Sequence, residues 1–232
     1  MADNDPYGPG LQPHLIVVAS FLILLGLYLV GFGFAYFMYT MAAVGFMTGA
    51  ILSWVLLTAA EPVAGYPSST IVYLCTCFGV GLLLAGVAMI CWKLTMCALG
   101  GLAGFVLCIY IYSWREDHVL LNVYARMFTS LGFAAAGWVF MLIFESATAI
   151  LSTSLLGAYA FFLGLDLLVH TGMANGPRSM LDANPHFIPI QYQVDRKVYA
   201  MLSGVLAMSL VAFVFQKIYY IGHRFGLDLV KT

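Results

Sequence analysis

Seven long apolar runs, nearly free of charged residues, constrain this chain more than any other feature of its sequence. About 20 apolar residues in a helix cross the hydrocarbon core of a bilayer, which is roughly 30 Å thick. Lipid cannot satisfy the backbone edges of an open sheet, and the runs lack the alternation of a β-barrel. We therefore predict an all-α integral membrane protein with seven transmembrane helices: Leu15–Gly33, Ala35–Ala59, Thr70–Cys91, Lys93–Ser113, Tyr124–Phe144, Ser146–His170 and Val198–Lys217.

Composition and charge indicate that the surface of the folded chain is mainly in contact with lipid. The chain is 63% apolar and 8% charged, whereas soluble domains carry about 25% charged residues. A net charge of -1 gives no basic surface for nucleic acid. We predict a short tail over residues 1–14, one membrane domain over 15–217 with a long loop at 171–197, and a second tail over 218–232. No Lys or Arg precedes the first run, so it does not resemble a cleaved signal peptide.

The connections between runs alternate between very short and long. Runs 1–2, 3–4 and 5–6 are joined by tight turns, and the other connections are longer and polar. This alternation predicts three helical hairpins and a seventh helix, with the tight turns and the C-terminus on one side. Lys and Arg mark cytosolic loops, but their counts on the two sides are nearly even. We expect the N-terminus outside or in a lumen and the C-terminus in the cytosol, in the plasma membrane or an endomembrane.

An internal repeat links the second, fourth and sixth helices. Successive copies are offset by 55 and then 53 residues. Such a fixed period indicates a repeated structural unit. Three sets of positions align: Thr40, Thr95 and Thr148; Gly45, Gly100 and Thr153; and Gly49, Gly104 and Gly157.

The aligned small residues lie four positions apart, hence on one helix face. Small residues at this spacing let the backbone of a neighbouring helix approach closely in lipid. We therefore predict Gly45, Gly49, Gly100, Gly104, Thr153 and Gly157 as helix-packing positions. The alternative is that three such faces meet around a central pathway and form its narrow wall.

A few charged residues lie within or at the ends of the runs, where ionisable groups often mark function. Lys93 and Glu145 open the fourth and sixth helices one repeat position apart, so they form either an interfacial ion pair or two membrane-edge anchors. Asp166 and His170 are four residues apart at the far end of the sixth helix. They form either a polar site for a proton or metal, or two groups facing solvent.

No sequence motif for catalysis is present. The chain has no HExxH, no GxSxG and no phosphate-binding glycine loop. The five cysteines do not match a zinc or disulfide spacing. We predict no enzyme activity, no catalytic residue, no metal and no cofactor. The 6–7 loop holds three prolines among apolar and aromatic residues, which favours an ordered cap or a partner-binding surface.

The glycine-rich second helix of each hairpin resembles a known family. The segments Phe37–Gly49, Trp92–Gly104 and Glu145–Gly157 are similar to the seven-span domain of transmembrane protein 198 and transmembrane 7 superfamily member 3. The likeness covers roughly residues 20–170. It implies a seven-helix fold and a non-enzymatic membrane protein; one branch of the family is linked to Wnt receptor signalling as a scaffold. The resemblance brings no catalytic residue.

Two functions follow as expectations. The first is a non-catalytic scaffold or accessory subunit that binds other membrane subunits or a second copy of itself. The alternative is a channel or transporter whose pathway is lined by the repeated glycine faces. An intramembrane enzyme ranks third, because the runs show no pair of catalytic side chains at mid-depth.

Overall fold

The structure is a computed structural model that describes residues 12–62, 65–116, 123–181 and 192–220. Within these ranges the chain forms eight helices and no strand, and seven of the helices are long and apolar enough to cross a membrane. The predicted fold class is confirmed, and each predicted boundary lies within about two residues of the observed one. The helices are α1 (Pro13–Phe32), α2 (Phe37–Ala59), α3 (Ser69–Ile90), α4 (Trp92–Tyr112), α5 (Val123–Ile143), α6 (Glu145–Val169), α7 (Asn175–Leu181) and α8 (Arg196–Tyr219).

The repeated threonines hold the three tight turns. The Thr40 hydroxyl donates a hydrogen bond of 2.6 Å to the carbonyl of Gly33, at the end of α1. The Thr95 hydroxyl makes the equivalent bond of 3.0 Å to Ala88, and that of Thr148 bonds the Phe140 carbonyl at 3.1 Å. The last carbonyls of a helix lack partners within it. Each threonine thus bonds a carbonyl near the end of the previous helix and ties the start of the next helix to it.

The closest helix pairs do not follow the tight turns. Helix α2 packs most extensively on α3, α4 on α5, and α6 on α1. The predicted hairpins thus have their short turns, but each repeated helix packs against the first helix of the next copy. The third copy returns to α1, and the Phe21 ring of α1 lies 5.0 Å from the Phe46 ring of α2, so the three pairs form a closed ring. Helix α8 packs outside this ring, on α6 and α1.

The contacts also sort the two ends of the bundle. At the tight-turn end, the Tyr220 ring after α8 lies 6.0 Å from that of Phe34. At the opposite end, the Tyr192 hydroxyl bonds the Ser113 carbonyl at 2.6 Å. The end of α8 therefore lies with the tight turns, as the sequence predicted. Helices α4 and α6 are the most buried of the seven spans and form the centre.

Candidate functional site

The first two predicted packing glycines bring α2 against α3. A Cβ placed on Gly45 would lie 2.6 Å from the carbonyl oxygen of Leu84. One placed on Gly49 would lie 3.0 Å from the Cα of Gly81. Real Cβ atoms do not approach backbone so closely, so only glycine allows this contact. The two backbones meet over about one helical turn.

The second copy repeats this contact between α4 and α5. A Cβ on Gly104 would overlap the Phe133 carbonyl oxygen and lie 3.3 Å from the Cα of Ala134. A Cβ on Gly100 would overlap the Gly137 carbonyl and lie 2.8 Å from the Cβ of Met141. Close backbone approach of this kind increases the van der Waals contact that holds helices together in lipid.

The third copy closes the ring through α6 and α1. A Cβ on Gly157 would lie 2.8 Å from the Gly26 carbonyl oxygen. At the next position of the repeat, a Cβ on Gly33 would lie 2.7 Å from the Cβ of Thr153. The six predicted packing positions thus all lie in helix–helix contacts, where they pack against α3, α5 and α1 instead of facing one another.

The partner positions carry the same repeat, which sequence inspection missed. Gly49 faces Gly81, Gly104 faces Ala134 and Gly157 faces Gly26. In chain order these partners, Gly26, Gly81 and Ala134, are themselves offset by 55 and 53 residues. The signal was available in the odd-numbered helices, but Ala134 stands in place of a glycine there. The spacing therefore describes a cyclic arrangement of three similar units.

Thr153 stands in the third copy at the position of Gly45 and Gly100, and its side chain makes a hydrogen bond that glycine could not make. Its hydroxyl lies 3.1 Å from the side-chain oxygen of Gln216, a fully buried residue near the end of α8. The Gln216 amide donates bonds of 2.9 Å and 2.7 Å to the carbonyls of Leu29 and Val30. The Tyr220 hydroxyl reaches the Gly31 carbonyl at 3.3 Å. Gln216 of α8 and Tyr220 just after it thus add hydrogen bonds to carbonyls in the last turn of α1.

Asp166 is fully buried and anchors the start of the 6–7 loop. Its carboxylate accepts bonds from the backbone N–H groups of Thr171 at 3.0 Å and Ala174 at 2.7 Å, and from the Thr171 hydroxyl. Buried carboxylates require such donors. The carboxylate thus fixes the segment that leads into α7. His170 ends α6 with a φ of 56°, which turns the chain toward this segment.

The predicted cap over the long-loop end is formed in part. Gly176 of α7 sits against Ser113, at the end of α4, and the backbone N–H of Val194 bonds the Glu116 carboxylate at 3.2 Å. Burial and the nearby charge of Asp166 raise the pKa of Tyr192. These contacts join α4, α6 and α7 at one end of the bundle. Residues 182–191 lie outside the described residues.

The structure does not bring Lys93 and Glu145 together. In the part of the chain it describes, neither side chain takes part in an ion pair, and the Lys93 ammonium lies 5.4 Å from the Trp92 ring centroid. An anchor at the membrane edge remains the prediction for Lys93. The five cysteines are free, and Cys91 is exposed in a tight turn.

This architecture defines a seven-span, all-α membrane protein whose interior is closed by small-residue contacts. The family model of the TM7S3/TM198-like domain matches residues 19–217, and the chain belongs to this family. The match extends through α8, beyond the likeness over residues 20–170 that the sequence motifs carried. Comparison with curated proteins and with solved structures finds no match.

Proposed function

We propose that this protein is a non-catalytic scaffold or accessory subunit of a membrane complex. One observation carries the proposal: three of the polar side chains buried at the helix contacts hold the fold together. Asp166 anchors the 6–7 loop, Gln216 joins α8 to α1, and the Thr40 hydroxyl secures a turn. Their hydrogen bonds give each of them a structural role. We infer that the outer surface of the bundle carries the function.

The packing of the repeated glycines does not favour the alternative function, a channel or transporter with a glycine-lined pathway. Such a pathway needs the small-residue faces to border water, but Gly45, Gly100 and Gly157 approach the backbone of neighbouring helices. Helix atoms occupy the space that a permeant species would need. The channel or transporter alternative would therefore require another route through the protein.

The outer surface offers broad apolar faces for other subunits. Helices α3 and α5 are among the least buried spans, and they expose large side chains such as Leu83, Ile90, Phe128 and Leu142. Lipid covers such faces in a bilayer, and another transmembrane helix can replace that lipid. We propose other membrane subunits, or a second copy of this chain, as partners there.

The proposal includes an orientation. The N-terminus faces the outside or a lumen, and the C-terminus faces the cytosol, in the plasma membrane or an endomembrane. Single cysteines at Asp5 and Lys231, in a background without native cysteines, test this with an impermeant thiol reagent on intact cells. Labelling at Asp5 alone is expected, and labelling at both positions would contradict an odd number of spans.

Two measurements test the function itself. Purified protein in liposomes is expected to show no ion conductance or solute flux above empty vesicles. In native membranes extracted with a mild detergent, the protein is expected to migrate as a complex of defined composition, well above the mass of one 25.3 kDa chain. Flux that persists in the pure protein would replace the scaffold with a transporter. A single free chain in the native extract would also contradict the proposal.

A further inference from the structure

An apolar groove of about 650 Å³ runs along the lipid-facing side of α4. Its floor is α4 from Leu94 to Phe105, and its walls are α2 from Thr48 to Val55 and α5 from Arg126 to Trp138. Met180 and Leu181 of α7 close one end. We call this the α4 groove. Its volume lies within the range of about 300–1,000 Å³ typical of small-molecule sites.

One cation lines the α4 groove in an otherwise apolar wall. Arg126 lies in the first turn of α5, at the long-loop end, and its side-chain Nε is buried without a hydrogen-bond partner among the described residues. The hydroxyls of Thr48 and Ser130 bond carbonyls of their own helices, so they are not offered to a ligand. The rest of this half-buried guanidinium remains accessible. A buried donor without a partner is costly, and an anion at this end of the groove would satisfy it.

The groove is longer than one leaflet of a bilayer, because its lining reaches Leu94 at the tight-turn end of α4. Between Arg126 and Trp138, α5 rises by roughly 18 Å, at 1.5 Å per residue. Half of the hydrocarbon core is about 15 Å thick. A chain that starts at the interface beside Arg126 would thus end near mid-membrane or slightly beyond it. This geometry matches an acyl chain whose headgroup stays at the interface.

The cyclic arrangement of the fold supplies a counterpart for this groove. The α4 groove is formed by α2, α4 and α5, and the equivalent helices one repeat later are α4, α6 and α1. Helix α8 lies against all three of these equivalent helices. It packs on α6 and α1, and the Tyr110 hydroxyl of α4 bonds the Leu202 carbonyl of α8 at 3.1 Å. We call this position the α6 groove. One groove is therefore filled by the chain's own helix.

The α4 groove lacks the features that hold a helix in the α6 groove. Thr153, which bonds Gln216 of α8, corresponds to Gly100, which offers no hydroxyl. Arg126 corresponds to the apolar Val18 of α1. The polar contact for a helix is thus absent from the α4 groove, and a cation stands at its interfacial end.

We propose that the α4 groove binds one anionic phospholipid, with its acyl chain along α4 and its phosphate on the Arg126 guanidinium. The acyl chain of such a lipid matches the apolar lining of the groove, and its phosphate matches the Arg126 cation. Asp166 contributes indirectly, because it holds the segment leading into α7, whose last residues close the groove. This inference concerns a lipid site and is independent of the proposed scaffold function.

Fluorescence quenching of Trp138 tests the proposal. A variant keeps Trp138 as its one tryptophan, with Trp54, Trp92 and Trp114 replaced by phenylalanine. It is reconstituted in dioleoyl phosphatidylcholine vesicles that contain a fixed fraction of lipid with brominated acyl chains. Brominated phosphatidate is compared with brominated phosphatidylcholine. We expect phosphatidate to quench with roughly fivefold higher apparent affinity, the preference that one cation near the interface confers.

Three variants test whether the preference for phosphatidate arises in the α4 groove. Arg126→Gln should abolish it, whereas Arg115→Gln, which removes an exposed cation on the same side, should preserve it. Ala98→Phe, which fills the floor of the groove, should abolish it while Arg126 is still present. Thermal unfolding confirms that each variant is folded. Equal quenching by both lipids in the parent protein would overturn the proposal, as would equal losses in the two arginine variants. A partner's helix seated in the groove of a natively purified complex would also overturn it.

Discussion

The α6 groove and the α4 groove are built from equivalent helices, yet their contents differ. The α6 groove holds α8, joined through Gln216 to Thr153 and to the carbonyls at the end of α1. The α4 groove is open to the bilayer, has Gly100 at the position of Thr153, and carries Arg126 at its interfacial end. Small residues set how the ring closes, whereas a few polar residues decide what occupies the grooves around it.

The largest effect is expected from a substitution that disrupts the ring of helices, because both grooves are formed by that ring. Gly104→Leu would force α4 and α5 apart, because even a Cβ at Gly104 overlaps the Phe133 carbonyl. We expect a loss of at least about 3 kcal/mol in stability or a failure to assemble, since overpacking against backbone cannot relax through side chains. Thermal unfolding in detergent measures the effect.

Gly132→Leu is the matched control on α5. A Cβ at Gly132 would meet nothing within 4 Å, so the added side chain points into lipid. We expect a change within about 0.5 kcal/mol. If the two leucine variants unfold at the same temperature, the repeated contacts do not close the ring.

Most of this ring follows from the sequence, but its pairing does not. Hydropathy located all seven spans, and the repeat located Gly45, Gly100 and Gly157, because both signals are local along one helix. Which helix faces each glycine depends on contacts across the bundle, and the short turns do not reveal that α2 packs most extensively on α3, α4 on α5 and α6 on α1. The sequence does not single out Gln216, because hydropathy does not report that three carbonyl and hydroxyl groups converge on it. It does not single out Arg126 either, because a cation near the end of a span is common.

A second test concerns the end that α7 closes. Asp166→Asn replaces one acceptor oxygen by an amide that faces the backbone N–H donors of Thr171 and Ala174. Bonds to a charged acceptor are worth about 1.5–3 kcal/mol, so we expect about 2 kcal/mol of destabilisation and faster hydrogen exchange over residues 171–181. Asp195→Asn, at an exposed site without a side-chain cap bond, should change neither. Unchanged exchange in the Asp166 variant would remove its anchoring role.

The polar link that fills the α6 groove is tested by Gln216→Met. This change keeps the size of the side chain and removes its bonds to Thr153 and to the α1 carbonyls. Hydrogen bonds between membrane helices contribute about 0.6–2 kcal/mol, so we expect a loss of about 1 kcal/mol in stability, measured by thermal unfolding in detergent. The neighbouring Lys217→Met, at an exposed position, should have little effect. Equal behaviour of the two variants would mean that packing alone holds α8.

The smallest expected effect concerns Tyr192 and pH. Burial and the charge of Asp166 raise its pKa, so the folded state favours the neutral phenol. Stability should be constant below the ordinary tyrosine pKa of about 10 and should fall above it, as the unfolded chain loses this proton first. Tyr192→Phe loses the bond to the Ser113 carbonyl, about 1 kcal/mol, and should weaken this alkaline decline. An alkaline decline that is as steep in the Tyr192 variant as in the parent protein would contradict the assignment.

A density map of the protein in nanodiscs of phosphatidylcholine with phosphatidate tests the central claim most directly. The account predicts α1 packed on α6 with Gly26 facing Gly157, α8 seated in the α6 groove, and acyl-chain density in the α4 groove ending at Arg126. A map with α1 packed on α2 in place of α6 would contradict the cyclic arrangement. An α4 groove without lipid density, or one filled by polypeptide, would contradict the distinction between the two grooves.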